Sequence, residues 1–294
     1  MNNAAQSGPI VIQADRILDG RGNVISGGSI VVDGAKITRV DKSAAAKPTY
    51  DLRGLTLLPG LIDAHSHLSW YFNRQGRYHT RGDGDTPVQS MLSMAGNAYA
   101  TLMAGFTTIQ SPGAFEDHDL REWIELGQIP GPRVLTSLQP INSPTKLSAD
   151  SLRAIVRQRK AQGADVIKIF ASASIRDGGA QTMTDEQLQA ICGEAKAQGM
   201  RTMVHAHSSE SIKASVLAGC NQIEHGVFVD DEALKMMADR GVYFDPQVCL
   251  VFRNYLDNRA KYEGIGNYNE VGFASMEKAL PLAADGYKRA THTP

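Results

Sequence analysis

His65 and His67 close the apolar run Leu57-Leu58-Pro59-Gly60-Leu61-Ile62-Asp63-Ala64, and their spacing carries chemistry. Side chains alternate along a strand, so two histidines at i and i+2 share one face and can close on a single ion. Local hydrogen bonds at a strand end are the competing reading of a bare His-x-His, and residues farther along weigh on the choice.

Lys168 lies inside the otherwise apolar run Asp165-Val166-Ile167-Lys168-Ile169-Phe170. A buried, unpaired ammonium is costly, so this lysine must be paired, neutral or chemically modified. A neutral amine in such a place can add carbon dioxide, giving an anionic carbamate able to bridge two divalent ions; a plain salt bridge is the alternative. His205 and His207 in Met203-Val204-His205-Ala206-His207 repeat the i, i+2 pattern, and Ile223-Glu224-His225-Gly226 ends a further apolar run. Imidazoles and an amine at four strand ends are hard to explain as core filling. They point to a metal centre that keeps an open position for water.

The elements that must position these groups repeat. Short apolar runs at 61–64, 106–109, 134–137, 166–170, 200–205, 222–225 and 242–244 alternate with amphipathic segments at 88–103, 152–162, 185–198 and 231–239. Such alternation reads as βα units around a parallel sheet buried on both faces. Ser148, Thr184 and Ser208 or Ser209 suit helix N-caps, and Thr184 with Gln187 forms a capping-box pair. Gly105, Gly163, Gly199, Gly219 and Gly241 each precede the next strand, where a left-handed helix end suits glycine. The seven units are one short of a closed (β/α)8 TIM-like barrel, and the chain stops after a helical stretch where an eighth strand is due, so the sequence reads as a truncated barrel lacking its last strand. Catalytic groups of such barrels gather at the C-terminal ends of the strands, where these residues fall.

Residues 1–57 form a different unit, with β-like runs at 10–12, 30–32 and 36–40 and a hairpin signal at Asp33-Gly34. The expected domains are therefore this β module and a barrel over 58–294. Lys plus Arg at 30 nearly balances Asp plus Glu at 31, with no long run of one sign, which excludes a nucleic-acid or anionic-membrane partner from the expectation. Cys192, Cys220 and Cys249 are odd in number and widely spaced without Cys-x-x-Cys, an argument against a disulfide framework and a thiolate zinc cluster. Nitrogen and oxygen must then hold any metal. Met1 to Pro9 lacks the pattern of a signal peptide and no apolar run reaches membrane-spanning length, so a cytoplasmic location is expected.

Taken together, Pro-Gly-Leu-Ile-Asp-Ala-His-Ser-His, Val-Ile-Lys-Ile-Phe, Val-His-Ala-His and Ile-Glu-His-Gly resemble the amidohydrolase superfamily, closest to its imidazolonepropionase-like and prolidase-like branch. The similarity runs from about Ile10 to the end. It implies two divalent, zinc-type ions: His65 and His67 on the more buried one, a carboxylated Lys168 bridging, and His205 and His225 completing the second. The spacing of His205 and His225 resembles the family's, which leaves His207 a substrate-facing role, although either histidine of that pair faces inward. The resemblance also implies that the N-terminal module is part of a β-sandwich completed by strands returning after the barrel. The implied activity is hydrolysis of an amide: a dipeptide such as Xaa-Pro, Xaa-Arg or Xaa-Lys, an N-acyl amino acid, or a cyclic amide.

The family's aspartate at the end of strand eight has no counterpart; Asp245 and Asp285 match neither its place nor its Gly-Thr-Asp context. A metal-binding chain without turnover is therefore the rival expectation. Bare first and seventh strand edges are a route to aggregation or to pairing with another chain, so a homo-oligomer is allowed. Among loop residues, Trp70, Tyr71, Phe72 and Tyr78 suit an apolar wall beside the metals, and Arg74, Arg77, Arg81 or Arg176 suit a carboxylate clamp. Solvated arginines and plain aromatic packing are the alternatives. His79 and His118 read as surface histidines, and Gly82-Asp83-Gly84-Asp85 as a flexible turn with too few oxygens for calcium.

Overall fold

The structure, a computed structural model, describes residues 8–45, 47–80, 82–142, 145–247 and 250–292. Arg81 and Cys249 lie outside these. The chain divides into two units, Met1–Leu61 and Ile62–Pro294.

In the first unit, strands β1 (Ile10–Leu18), β2 (Val24–Asp33), β3 (Lys36–Asp41) and β4 (Tyr50–Leu57) form one sheet in the order β3-β2-β1-β4. The β2–β3 hairpin turns where Asp33 pairs with Lys36, with Gly34 at a φ of 57°. This is the positive φ that the Asp-Gly pair tolerates. Strand β4, parallel to β1, escapes the sequence pattern because its side chains are almost all exposed and carry no alternation of apolar and polar residues.

The second unit contains β5 (Leu61–Asp63), α1 (Pro87–Met103), β6 (Phe106–Ser111), α2 (Asp117–Glu125), β7 (Arg133–Thr136), α3 (Ala149–Ala161), β8 (Val166–Phe170), α4 (Asp185–Ala197), β9 (Arg201–Ser208), α5 (Ser209–Leu217), β10 (Gln222–Phe228), α6 (Asp231–Arg240), β11 (Tyr243–Asp245), α7 (Leu250–Asp257), α8 (Arg259–Tyr262) and α9 (Glu270–His292). Strands β5-β6-β7 form one sheet and β8-β9-β10-β11 another. Ile141 joins them: its N–H donates to the Lys168 carbonyl at 2.8 Å, and its own carbonyl accepts from the Phe170 N–H at 3.0 Å. The result is an arc of seven strands with β5 and β11 outermost, and no closed barrel among the described residues.

Alternation does the positioning. On β8, Ile167 and Ile169 point outward into a core with Leu152 and Val156 of α3 and Leu188 and Ile191 of α4, while Lys168 points the other way. Each such aliphatic side chain, fully buried, contributes about 1.5–3 kcal/mol. Helix starts are fastened as their sequences indicate: Thr86 with Gln89 and Thr184 with Gln187 form capping boxes, and Ser148, Ser208 and Asp230 accept from the first turn. The glycines at 105, 163, 199, 219 and 241 all take positive φ.

The cysteine reading is corrected. Cys192 of α4 and Cys220, just before β10, form a disulfide with Cα atoms 5.2 Å apart. Neighbouring βα units lie side by side, so 28 residues of sequence separation become a short distance in space. Wide spacing along the chain was therefore no argument against pairing. His79 is also corrected: its side chain is 19% exposed and stacks on Tyr71, with ring centroids 4.3 Å apart. The Gly82–Asp85 run is fastened rather than loose, because Asp83 accepts hydrogen bonds from the Asn73 amide, the Thr80 N–H and the Thr80 hydroxyl.

Asp117, at the start of α2, is fully buried; it accepts from the Thr136 hydroxyl at 3.0 Å, and its Oδ1 has no partner. Burial pushes its carboxyl up to about 6, against the hydrogen bonds that favour the charge. A raised folded-state value means stability that is present below the ordinary aspartate value of 3.8 and lost as pH rises through about 6. Asp117→Asn should therefore gain on the wild type between pH 4 and pH 7, by roughly 1–3 kcal/mol at neutrality. Denaturant midpoints at the two pH values check this, and an equal difference at both would contradict it.

Candidate metal centre

The C-terminal ends of β5, β8, β9 and β10 meet. His65 Nε2 lies 3.3 Å from Lys168 Nζ. Ring centroids of His65 are 5.3 Å from those of both His67 and His225, and His205 is 4.5 Å from His207 and 4.6 Å from His225. Five imidazoles and an amine, drawn from four strands, thus surround one space.

Each arrives for a local reason. Ser66 N–H donates to the Gln110 carbonyl, and the Gln110 amide donates to the Ala64 carbonyl, which fastens the segment after β5 to β6. His67 stacks on Trp70 at 4.0 Å and 4° and packs over Gly113, where a Cβ would lie 2.8 Å from Nδ1. His205 and His207 follow the period-two alternation of β9. His225 does not follow its strand. Its φ of 71° is left-handed, and the pairing of β10 with β9 shifts register immediately afterwards. Gly226 permits the bend: at its φ of 53° a side chain is strained, and a Cβ would sit 2.4 Å from Phe244. The other non-glycine residues with positive φ, Leu138 and Gln247, also follow barrel strands, so strain gathers at the rim that carries the site.

Burial sets the charge state. His65, His67, His205 and His225 are held well below the usual imidazole value, chiefly by desolvation, and His207 is lowered to about 3 by burial with the nearby Arg176 adding to it. Burial also lowers Lys168, to about 8. Neutral imidazoles keep a lone pair free for a metal ion. The Nδ1 atoms of His67 and His207 are buried with no hydrogen-bond partner among the described residues, an arrangement costly in a site that binds nothing. The donor set therefore fits divalent ions.

Two cavities open onto these residues. One, of about 760 Å³, is lined by Trp70, Tyr71, Phe72, Tyr78, Tyr255 and Tyr262 beside His65 and His67. The other, of about 380 Å³, is lined by all five histidines, Lys168, Ser172, Ser174, Arg176 and Tyr255. Arg176 donates to Asn267 at 2.6 Å and lies over the Tyr268 ring at 4.0 Å. Among the described residues, no carboxylate pairs with it. The other described clamp candidates are engaged elsewhere: Arg74 with Asp85 and Gln89, Arg77 with the Glu263 carbonyl. Tyr71 turns its hydroxyl to Ser90 at 2.8 Å, and His118 stays on the surface beside Asp119.

Sequence reasoning missed Glu224 and the α7 residues Val251, Phe252 and Tyr255, and it set Asp245 aside. Glu224 is fully buried, and its Oε2 lies 2.6 Å from His65 Nδ1. Its signal was its place directly before His225, but strict alternation sends neighbours to opposite faces; only the left-handed turn at His225 brings both inside. Asp245 shares this corner, with one ligand atom each of His65, Glu224 and Asp245 within 4.8 Å of one another. Burial next to Glu224 raises Asp245 to about 7. Asp285 lies on α9, paired with Arg289 at 2.8 Å.

An α/β arc with such strand ends has known counterparts. Residues 56–281 match the amidohydrolase family, and the chain belongs to it. Its relatives include ochratoxinase from Aspergillus niger, 24% identical over 80% of this chain and 58% of that protein. They also include imidazolonepropionase from Geobacillus sp., 22% identical over 75% of this chain and 62% of that protein. The chain thus spans about three-fifths of the length of these relatives. Among solved structures, a Xaa-Pro dipeptidase with bound methionine in its active site is 28% identical, with a TM-score of 0.83 over 97% of this chain and 77% of that one.

Proposed function

We propose that this protein is a binuclear, zinc-type hydrolase of amide bonds in small molecules. The observation that carries the reading is the convergence of neutral, buried imidazoles from β5, β9 and β10 on Lys168. His65 and His67 would hold one ion, His205 and His225 the other, and carboxylated Lys168 would bridge them. When bound, such ions supply a water acidic enough to attack at neutral pH and polarise the amide carbonyl.

The chain's own residues do the rest. Arg176, a cation with no acidic partner among the described residues, would clamp a substrate carboxylate beside His207. The aromatic cavity would take a bulky apolar group on the other side of the scissile bond and exclude water from it. A dipeptide such as Xaa-Pro, Xaa-Arg or Xaa-Lys, an N-acyl amino acid or a cyclic amide meets these terms, and the likeness to a Xaa-Pro dipeptidase and to ochratoxinase supports the class. Resemblance to the family also supports reading the first unit as part of a β-sandwich.

One observation favours a second reading, metal binding without turnover. Among the described residues no aspartate takes the place the family gives its proton shuttle: Asp245 packs against Glu224, and Asp285 pairs with Arg289. The test is a panel of dipeptides and N-acyl amino acids given to the zinc-loaded chain, alone and extended by a Gly-Thr-Asp-like segment. Hydrolysis that disappears in His205→Ala supports the enzyme; no hydrolysis by either form refutes it. Arg176→Gln should raise KM for carboxylate-bearing substrates about tenfold or more and leave their amidated analogues unaffected.

As to compartment, the Cys192–Cys220 bridge supports an oxidising location over the cytoplasm. Among the described residues, no helix is long and apolar enough to cross a membrane.

A further inference from the structure

Glu224 takes part in none of the steps above, yet it is fully buried and its Oε2 lies 2.6 Å from His65 Nδ1. An apolar side chain in that place would pack without the desolvation penalty of a carboxyl group. What a carboxylate adds is an acceptor. An imidazole that donates from Nδ1 has no proton left for Nε2 while neutral, and the His65 Nε2 faces Lys168 at 3.3 Å.

We propose that Glu224 is a positioning residue for His65: it accepts the Nδ1 hydrogen and so holds the ring in the one tautomer whose Nε2 lone pair points into the site. The inference rests on the reading that His65 holds an ion, and it names the group that prepares His65 to do so before the ion arrives. Such outer partners fix both the tautomer and the ring orientation of metal-binding histidines. Strand register puts Glu224 at the site: it pairs with His205 across β9 and β10, ahead of the left-handed turn at His225. Asp245, at the end of β11, closes the corner behind the carboxylate.

The test uses the full chain, metal-free, with nitrogen-labelled histidine, and assigns the His65 signals by their loss in His65→Gln. The expected spectrum shows His65 protonated on Nδ1 and bare on Nε2. Glu224→Gln, which keeps the shape of the side chain, should relax this preference and weaken zinc binding roughly 10–100-fold in a chelator competition, with the melting temperature nearly unchanged. A wild-type His65 carrying its proton on Nε2 would overturn the proposal, and so would unchanged zinc affinity in Glu224→Gln. If that variant does not fold, the wild-type spectrum decides alone. A wild type that binds no zinc would defeat the metal reading itself, a different failure, since the tautomer is read without metal.

Discussion

Replacing Lys168 with methionine is expected to lower amide hydrolysis by roughly a thousandfold or more and to release one of the two zinc ions while leaving the other. The amine is buried among the histidines, and as a carbamate it would offer an oxygen to each of two cations, which methionine cannot. Loss of an ion that polarises the carbonyl removes several kcal/mol of barrier lowering, which sets the size of the effect. Stability of the metal-free chain should hold or rise, because methionine fills a similar volume without a buried amine. Elemental analysis and native mass spectrometry check both parts, and the wild type should carry the added mass of one carbon dioxide. Retention of two ions by Lys168→Met would remove the bridge from the account.

The second large effect concerns the disulfide. Reducing Cys192–Cys220, or replacing both residues with alanine, should cost about 3–4 kcal/mol, the chain-entropy value for a loop closed across 28 residues. Denaturant midpoints with and without reductant give the measurement. The cysteines lie in the core that backs β9 and β10, so the loss should also appear as weaker zinc binding. Equal midpoints under both conditions would mean that the bridge does not form in solution.

Much of this was legible before any coordinates. All seven strands of the second unit lie at the apolar runs, five of them after a punctuating glycine, because a strand in a parallel sheet covered on both faces must itself be apolar. The histidines and Lys168 stood out for the same reason: polar groups in such runs need an explanation. What stayed hidden lacked a periodic signal. Strand β4 is exposed along nearly its whole length, and α7, whose Val251 and Tyr255 wall both cavities and whose Phe252 walls the smaller, has no Ser, Thr, Asp or Asn directly before it in the sequence. The disulfide depends on which repeated units become neighbours. Glu224 and His225 both face the site only because of a backbone bend at His225 that alternation does not foresee. His79 looked free because its partners, Tyr71 and the aspartates of its own loop, are assembled by a turn and not by regular structure.

The arc has a seam. Among the described residues, the Asp165 N–H on the Thr136 carbonyl and the two hydrogen bonds at Ile141 join β7 to β8 outside any regular pairing, so His65 and His67 follow a strand of one sheet while Lys168, His205 and His225 belong to the other. Cations shared by these residues would rivet the two halves together. Loading would then complete the scaffold as well as arm it, and an unloaded chain would be the looser of the two along that line.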